Sequence, residues 1–160
     1  PNSPFLSNLV SINADYNSKG DKKQIVKTKA LQEVLYDTYP NERRMSTYIL
    51  WSRLAKSYDA VFINKTVVIK EYLVDGLSKN INKVRMKSPM SSKLIYKELL
   101  EHDDSIYKSI KYRFKNAISF YRYNFHSKNI IHPKTNFIYK SIGFLFGYLF
   151  YRLDKIKYKN

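Results

Sequence analysis

The chain contains no cysteine, four glycines, one tryptophan and 13 acidic residues against 29 basic ones. Without cysteine there is neither a disulfide framework nor a thiolate zinc site, and the redox compartment stays open. His102, His126 and His132 lie apart without metal-ligand spacing, so no chemistry is assigned to them. There is no phosphate loop, no Ser-His-Asp arrangement and no Asp-x-Asp anywhere in the chain. Asp103 and Asp104 are adjacent rather than spaced, in a break between two helical patterns, where helix capping accounts for them. The uncharged run IGFLFGYLFY, 142–151, is ten residues long, whereas a spanning helix needs about 20. The opening PNSPFLSNLV has neither the basic leader nor the sustained apolar stretch of a signal peptide. A first residue of Pro1 rather than Met fits a processed or excised piece.

What is present is positive charge and aromatic rings. The surplus of 16 positive charges is uneven, net +4 over residues 1–80 and net +12 over 81–160. The second half therefore calls for an anionic partner or for solvent to spread its charge. Fifteen Tyr and nine Phe accompany it, a combination that suits a membrane interface or single-stranded nucleic acid.

Residues 45–78 organise the chain. Tyr48, Leu50, Trp51, Leu54, Ala55 and Tyr58 recur at helical spacing, with Arg53 and Lys56 on the other face. Two β-rich runs follow, AVFI and TVVIKEY, separated by Asn64-Lys65 and expected to pair as a hairpin; Asp75-Gly76 then reads as a turn. A buried helix and hairpin with Trp51 as core filler is the purely structural reading of this unit.

Before it, residues 5–12 suggest a short strand or an extended arm, KQIVKT a brief strand, and KALQEVLY a short helix with Leu31, Val34 and Leu35 on one side. Residues 37–44 form a loop around Pro40 and Asn41. After it, 79–87 reads as a polar linker and Ser88-Pro89 as a helix start, with Met90, Leu94, Ile95 and Leu99 near one stripe. Ile106, Ile110, Phe114, Ala117, Ile118, Tyr121 and Phe125 trace a further helix, and 129–133 breaks it. The run 142–151, bracketed by Lys140 and Arg152, is either an interfacial helix on anionic head groups or a helix packed on the rest of the fold.

Five short blocks, GDK (20–22), TKAL (28–31), ILWSRLAKSY (49–58), FINKTVVIKEY (62–72) and DGLS (75–78), resemble in order and spacing the C-terminal half of a bacterial family 2 glycosyltransferase. The resemblance continues more weakly through 88–99 into a basic aromatic C-terminus like that of membrane-associated polysaccharide (capsule-type) enzymes. It implies an α/β (α+β) fold class: the C-terminal, acceptor-side part of a GT-A domain over 1–80, then a mainly helical basic tail over 81–160. It further implies sugar transfer from a nucleotide-sugar donor to a glycan or lipid-linked acceptor, a divalent cation (Mg or Mn) bound by the donor half that precedes this region and none bound here, and a peripheral place on the cytoplasmic face of the membrane.

For the site, the resemblance points to Gly20, Asp21 and Lys22 near sugar and phosphate, with Trp51 stacking on a sugar ring and Asp75-Gly76 facing the same cleft. Gly-Asp is also an ordinary turn, and a lone Trp on an apolar helix face is commonly core. The resemblance implies an acid in the helix before the Trp51 position; here Thr47 stands at the matching place, and a hydroxyl cannot act as a carboxylate base. Glu42 is the substitute candidate for catalysis, a solvated loop glutamate being its other reading. The alternative function is a basic nucleic-acid-binding or membrane-surface adaptor module without catalysis; the uncharged run 142–151, with no charge for a phosphate to meet, speaks against nucleic acid.

Overall fold

Four helices carry the second half of the chain in a computed structural model that describes residues 3–18, 21–36, 38–71, 80–102 and 106–158. In chain order the elements are β1 (Phe5–Asn8), α1 (Ser11–Ala14), α2 (Thr28–Gln32), α3 (Tyr48–Leu54), β2 (Asp59–Phe62), α4 (Ile81–Lys87), α5 (Pro89–Glu101), α6 (Ile110–His126) and α7 (Phe137–Lys157). The described residues thus form a small mixed α/β protein, mostly helical, with one two-stranded sheet.

Local chemistry explains where the long helices start. Pro89 occupies the first turn of α5, where its missing N–H leaves no bond unmade. The Ser109 hydroxyl accepts from the Tyr112 amide at the start of α6, and the Asn136 side chain accepts from the Ile138 amide (2.8 Å) at the start of α7. His102, in extended conformation, ends α5.

Helix α6 packs against α5 on one side and α7 on the other. This explains why its buried set, Arg113, Asn116, Ala117, Phe120, Tyr121, Tyr123 and Asn124, is wider than a single stripe. One core cluster joins Val10, Ile49 and Ala55 to Ile95, Leu99 and Tyr107, and a second joins Leu100 to Ala117, Phe120 and Tyr121. Helix α5 contributes to both, so it is the shared wall between the N-terminal elements and the α6–α7 pair.

Several expectations change. The AVFI run does become β2, but its partner is β1, antiparallel, with Phe5 opposite Phe62 and Asn8 opposite Asp59. Residues 66–71 of the second run form no strand; Val67, Val68 and Ile69 stay exposed. β-branched residues favour a strand only when a neighbouring strand and a buried face accept them, and here β1 occupies the place beside β2. KQIVKT likewise forms no strand and leaves Ile25 exposed. The short helix expected over KALQEVLY is α2, which stops at Gln32 and leaves Leu35 exposed. Residues 81–87, expected as linker, are α4, which packs on α5 and α6. Asn8 fastens the sheet to α3: its amide donates to the Ala55 carbonyl (2.6 Å) and its carbonyl accepts from the Val10 amide (2.9 Å).

Candidate functional site

The residues singled out from the sequence are dispersed over different elements. Asp21 lies in the extended segment before α2, is exposed, and pairs with Lys70 at 3.2 Å. Lys22 donates to the Asn13 side chain (3.3 Å) and the Ser18 carbonyl (3.2 Å), closing the turn after α1. Trp51 is half-buried on α3, outside the fully buried core. Gly20, Asp75 and Gly76 lie outside the described residues.

Glu42 has a defined job in the fold. One oxygen accepts from the Met90 amide (2.6 Å), and the other accepts from the Ser91 amide (2.8 Å) and the Ser91 hydroxyl. It therefore caps α5 from 48 residues away in sequence, satisfying amides that have no partner within the helix and placing negative charge at its positive end. Ser88, at the N-cap position, makes no side-chain cap bond. As a base Glu42 would first have to release these bonds. Thr47 is the exposed residue preceding α3 and makes no cap bond either.

An open cleft of about 680 Å³ is lined by Asn8, Ser11, Asp15, Tyr16, Asp59 and Tyr107 among others, and by none of the residues above. Its Asp15 carboxylate accepts from the Lys108 and Ser109 amides (3.0 and 2.8 Å), fixing the segment that leads into α6, whose first turn is capped by Ser109 itself. No three His, Cys, Asp or Glu side chains gather as a metal-binding group among the described residues.

No family model, curated protein or solved structure matches this chain.

Four polar constellations escaped the sequence reading. Ser52 on α3 and His102 at the end of α5 meet at 2.8 Å, a nucleophile–base distance, but both are buried and Ser52 has no exposed surface, so the pair ties two elements and meets no substrate. Lys93 on α5 is buried and donates to the Ser127 hydroxyl (2.9 Å) and the Asn129 carbonyl (2.6 Å), holding the C-terminal end of α6; burial lowers its pKa, with the Glu42 charge acting in the opposite sense. The phenols of Tyr48 and Tyr112 meet at 3.3 Å, and burial followed by this neighbour pushes Tyr112 far above the usual range, so it stays neutral.

The fourth constellation locks α7 to α6. Arg122 donates from Nε to Asp154 Oδ2 (2.6 Å) and from Nη2 to Asp154 Oδ1, while His126 Nε2 donates to Asp154 Oδ2 at 3.1 Å. Asp154 is buried, as are Gly143 and Gly147 on the same face of α7. One signal in the sequence marked this acid: Asp154 is the sole Asp or Glu after Asp104, in a helix otherwise charged only by Lys and Arg.

Proposed function

We propose that this chain is the acceptor-side portion of a family 2 glycosyltransferase, which transfers a sugar from a nucleotide-sugar donor to a glycan or lipid-linked acceptor during cell-surface polysaccharide synthesis at the cytoplasmic face of the membrane. The observation that carries the proposal is the order of the five blocks together with their contacts in space. Lys70 of the fourth block reaches Asp21 of the first across 49 residues. Tyr58 of the third donates to Glu33, just beyond the second, at 2.9 Å. Arg53 of the third donates from Nη1 to the Leu35 carbonyl (2.6 Å) and grips Glu98 on α5 side-on through Nε and Nη2 (2.7–3.1 Å).

In this proposal Asp21 accepts sugar hydroxyls and Lys22 faces phosphate. An exposed ion pair such as Asp21–Lys70 is worth at most about 1 kcal/mol, so a ligand displaces it at little cost. Trp51, half-exposed, offers a face for a sugar ring. The cation and the donor diphosphate are the task of the preceding half, and Glu42 acts by placing α5 rather than by taking a proton.

Two measurements test this together. The coding frame upstream of Pro1 is expected to continue into an α/β half with an Asp-x-Asp motif; a start codon next to Pro1 overturns the proposal. The isolated chain, incubated with a panel of nucleotide-sugars and Mn, is expected to show no transfer, and sugar transfer by this chain alone would equally refute the division of labour.

A further inference from the structure

Helix α7 has two opposed faces, and only one has a partner among the described residues. Its inner face is made of Gly143, Gly147 and Asp154, all buried against α6. The glycines allow close approach: a methyl at Gly143 would meet Ala117 Cβ and the Tyr121 ring at 2.9 Å. The paired Arg122 and Asp154 then fix the rotation of α7 about its axis.

With the rotation fixed, the opposite face must point outward. Ile138, Leu145, Leu149, Leu153 and Ile156 recur on it at helical spacing and are 50–72 % exposed. The stripe extends over most of a helix about 31 Å long, far more contiguous apolar surface than single exposed residues leave on an ordinary protein surface.

The edges of the stripe identify its occupant. Arg152 lies on one side and donates to the Tyr148 hydroxyl at 3.1 Å. Lys155 lies over the Tyr151 ring (5.7 Å) and Lys157 over Tyr158 (5.6 Å). The one acid of the helix, Asp154, is buried and paired, so every outward charge on α7 is positive. A second copy docked on the stripe would bring these cationic edges together. A nucleic acid would meet no charge along the stripe itself. Anionic lipid satisfies both parts at once, since apolar side chains enter the acyl boundary while tyrosines and cations remain among head groups.

We infer that the Ile138–Leu145–Leu149–Leu153–Ile156 face of α7 is a docking surface for an anionic bilayer, on which the helix lies in plane with α6 behind it. The inference does not rest on the glycosyltransferase proposal, and holds for an adaptor as well as for an enzyme.

The test is flotation of the chain with vesicles of equal parts phosphatidylglycerol and phosphatidylcholine, against phosphatidylcholine alone. Preferential binding to the anionic vesicles, weakening with salt, is expected. Leu145→Asp and Leu149→Asp, at exposed positions that leave the α6 contact intact, are each expected to lower partitioning by about tenfold or more, and Lys155→Ala by about fivefold. Far-UV circular dichroism of each variant verifies that the helices persist. Absence of wild-type binding overturns the inference, as does binding indifferent to both Leu substitutions. So does a dimer in sedimentation velocity that Leu149→Asp dissociates without vesicle binding, which would assign the stripe to a second copy. Binding of a single-stranded oligonucleotide that competes fully with vesicles and survives both Leu substitutions would assign the charge to nucleic acid instead.

Discussion

Replacing Gly147 with alanine would put a methyl carbon 2.5 Å from Tyr121 Cβ, 2.9 Å from the Arg122 amide nitrogen and 3.0 Å from the Ile118 carbonyl oxygen. Ordinary contact at such a site is 3.4–4 Å. None of the three obstructing atoms belongs to the movable end of a side chain, so rotamer changes bring no relief and the α6–α7 separation itself must grow. That movement would stretch the Arg122–Asp154 pair and the edge contacts of Phe144 with Tyr121 and Phe125. Alanine is about 1 kcal/mol better than glycine within a helix, whereas overpacking a fitted interface costs about 1–3 kcal/mol, here at the upper end because backbone must shift. The net expectation is a loss of about 2 kcal/mol, or about 4–8 °C in Tm for a chain of this size. Thermal unfolding followed by circular dichroism reads this directly, with Ser141→Ala on an exposed part of the same helix as the control, expected to be neutral or stabilising by a few tenths of a kcal/mol. A Gly147→Ala protein as stable as the wild type would mean that α7 does not meet α6 through its glycines, and the outward orientation of the apolar stripe would fall with it.

Two further expectations concern polar contacts. Glu42→Ala removes the cap from α5 and should cost about 1–2 kcal/mol in urea unfolding, with Glu42→Gln recovering part of the loss because an amide oxygen still accepts; no change would show that the loop leaves α5 uncapped in solution. The His126 imidazole has its pKa lowered below 6.5 by burial first, then by the Lys155 and Arg122 charges, against the raising effect of its Asp154 hydrogen bond. Because the unfolded chain then takes up the proton first, the contribution of this residue to stability is complete above about pH 6.5 and is lost as pH falls towards the folded pKa. The urea midpoint should therefore drop on acidification across that window, and His126→Gln should flatten the drop. An identical slope in the variant would show that other groups govern it.

The candidate site was legible in the sequence only where its residues carry local meaning. Asp21 and Lys22 were found as a polar turn, and the structure leaves Asp21 exposed and Lys22 bonded to Asn13 and Ser18. Glu42 was noticed as an acid in a loop, yet its partners, Met90 and Ser91, are set by how that loop lies across the start of α5, which no local pattern encodes. Ser52 with His102 and Arg122 with Asp154 were invisible for the same reason, since each pair joins two separate elements.

By itself the sequence determined α3, α5 and α6, because apolar spacing near 3.6 residues, a proline at a helix start and polar breaks are short-range information that the backbone obeys wherever the segment lies, and it marked α7 only by the uncharged run 142–151. Tertiary structure alone decided which strand pairs with β2, since AVFI had two β-rich candidates and hydrogen bonding to β1 leaves TVVIKEY without a ladder. It also decided the orientation of α7. Leucine, isoleucine, phenylalanine and tyrosine run almost all round that helix, so hydropathy could not select the inner face. Close contact through two glycines and the buried Arg122–Asp154 pair selected it, and left the apolar stripe turned away from the core.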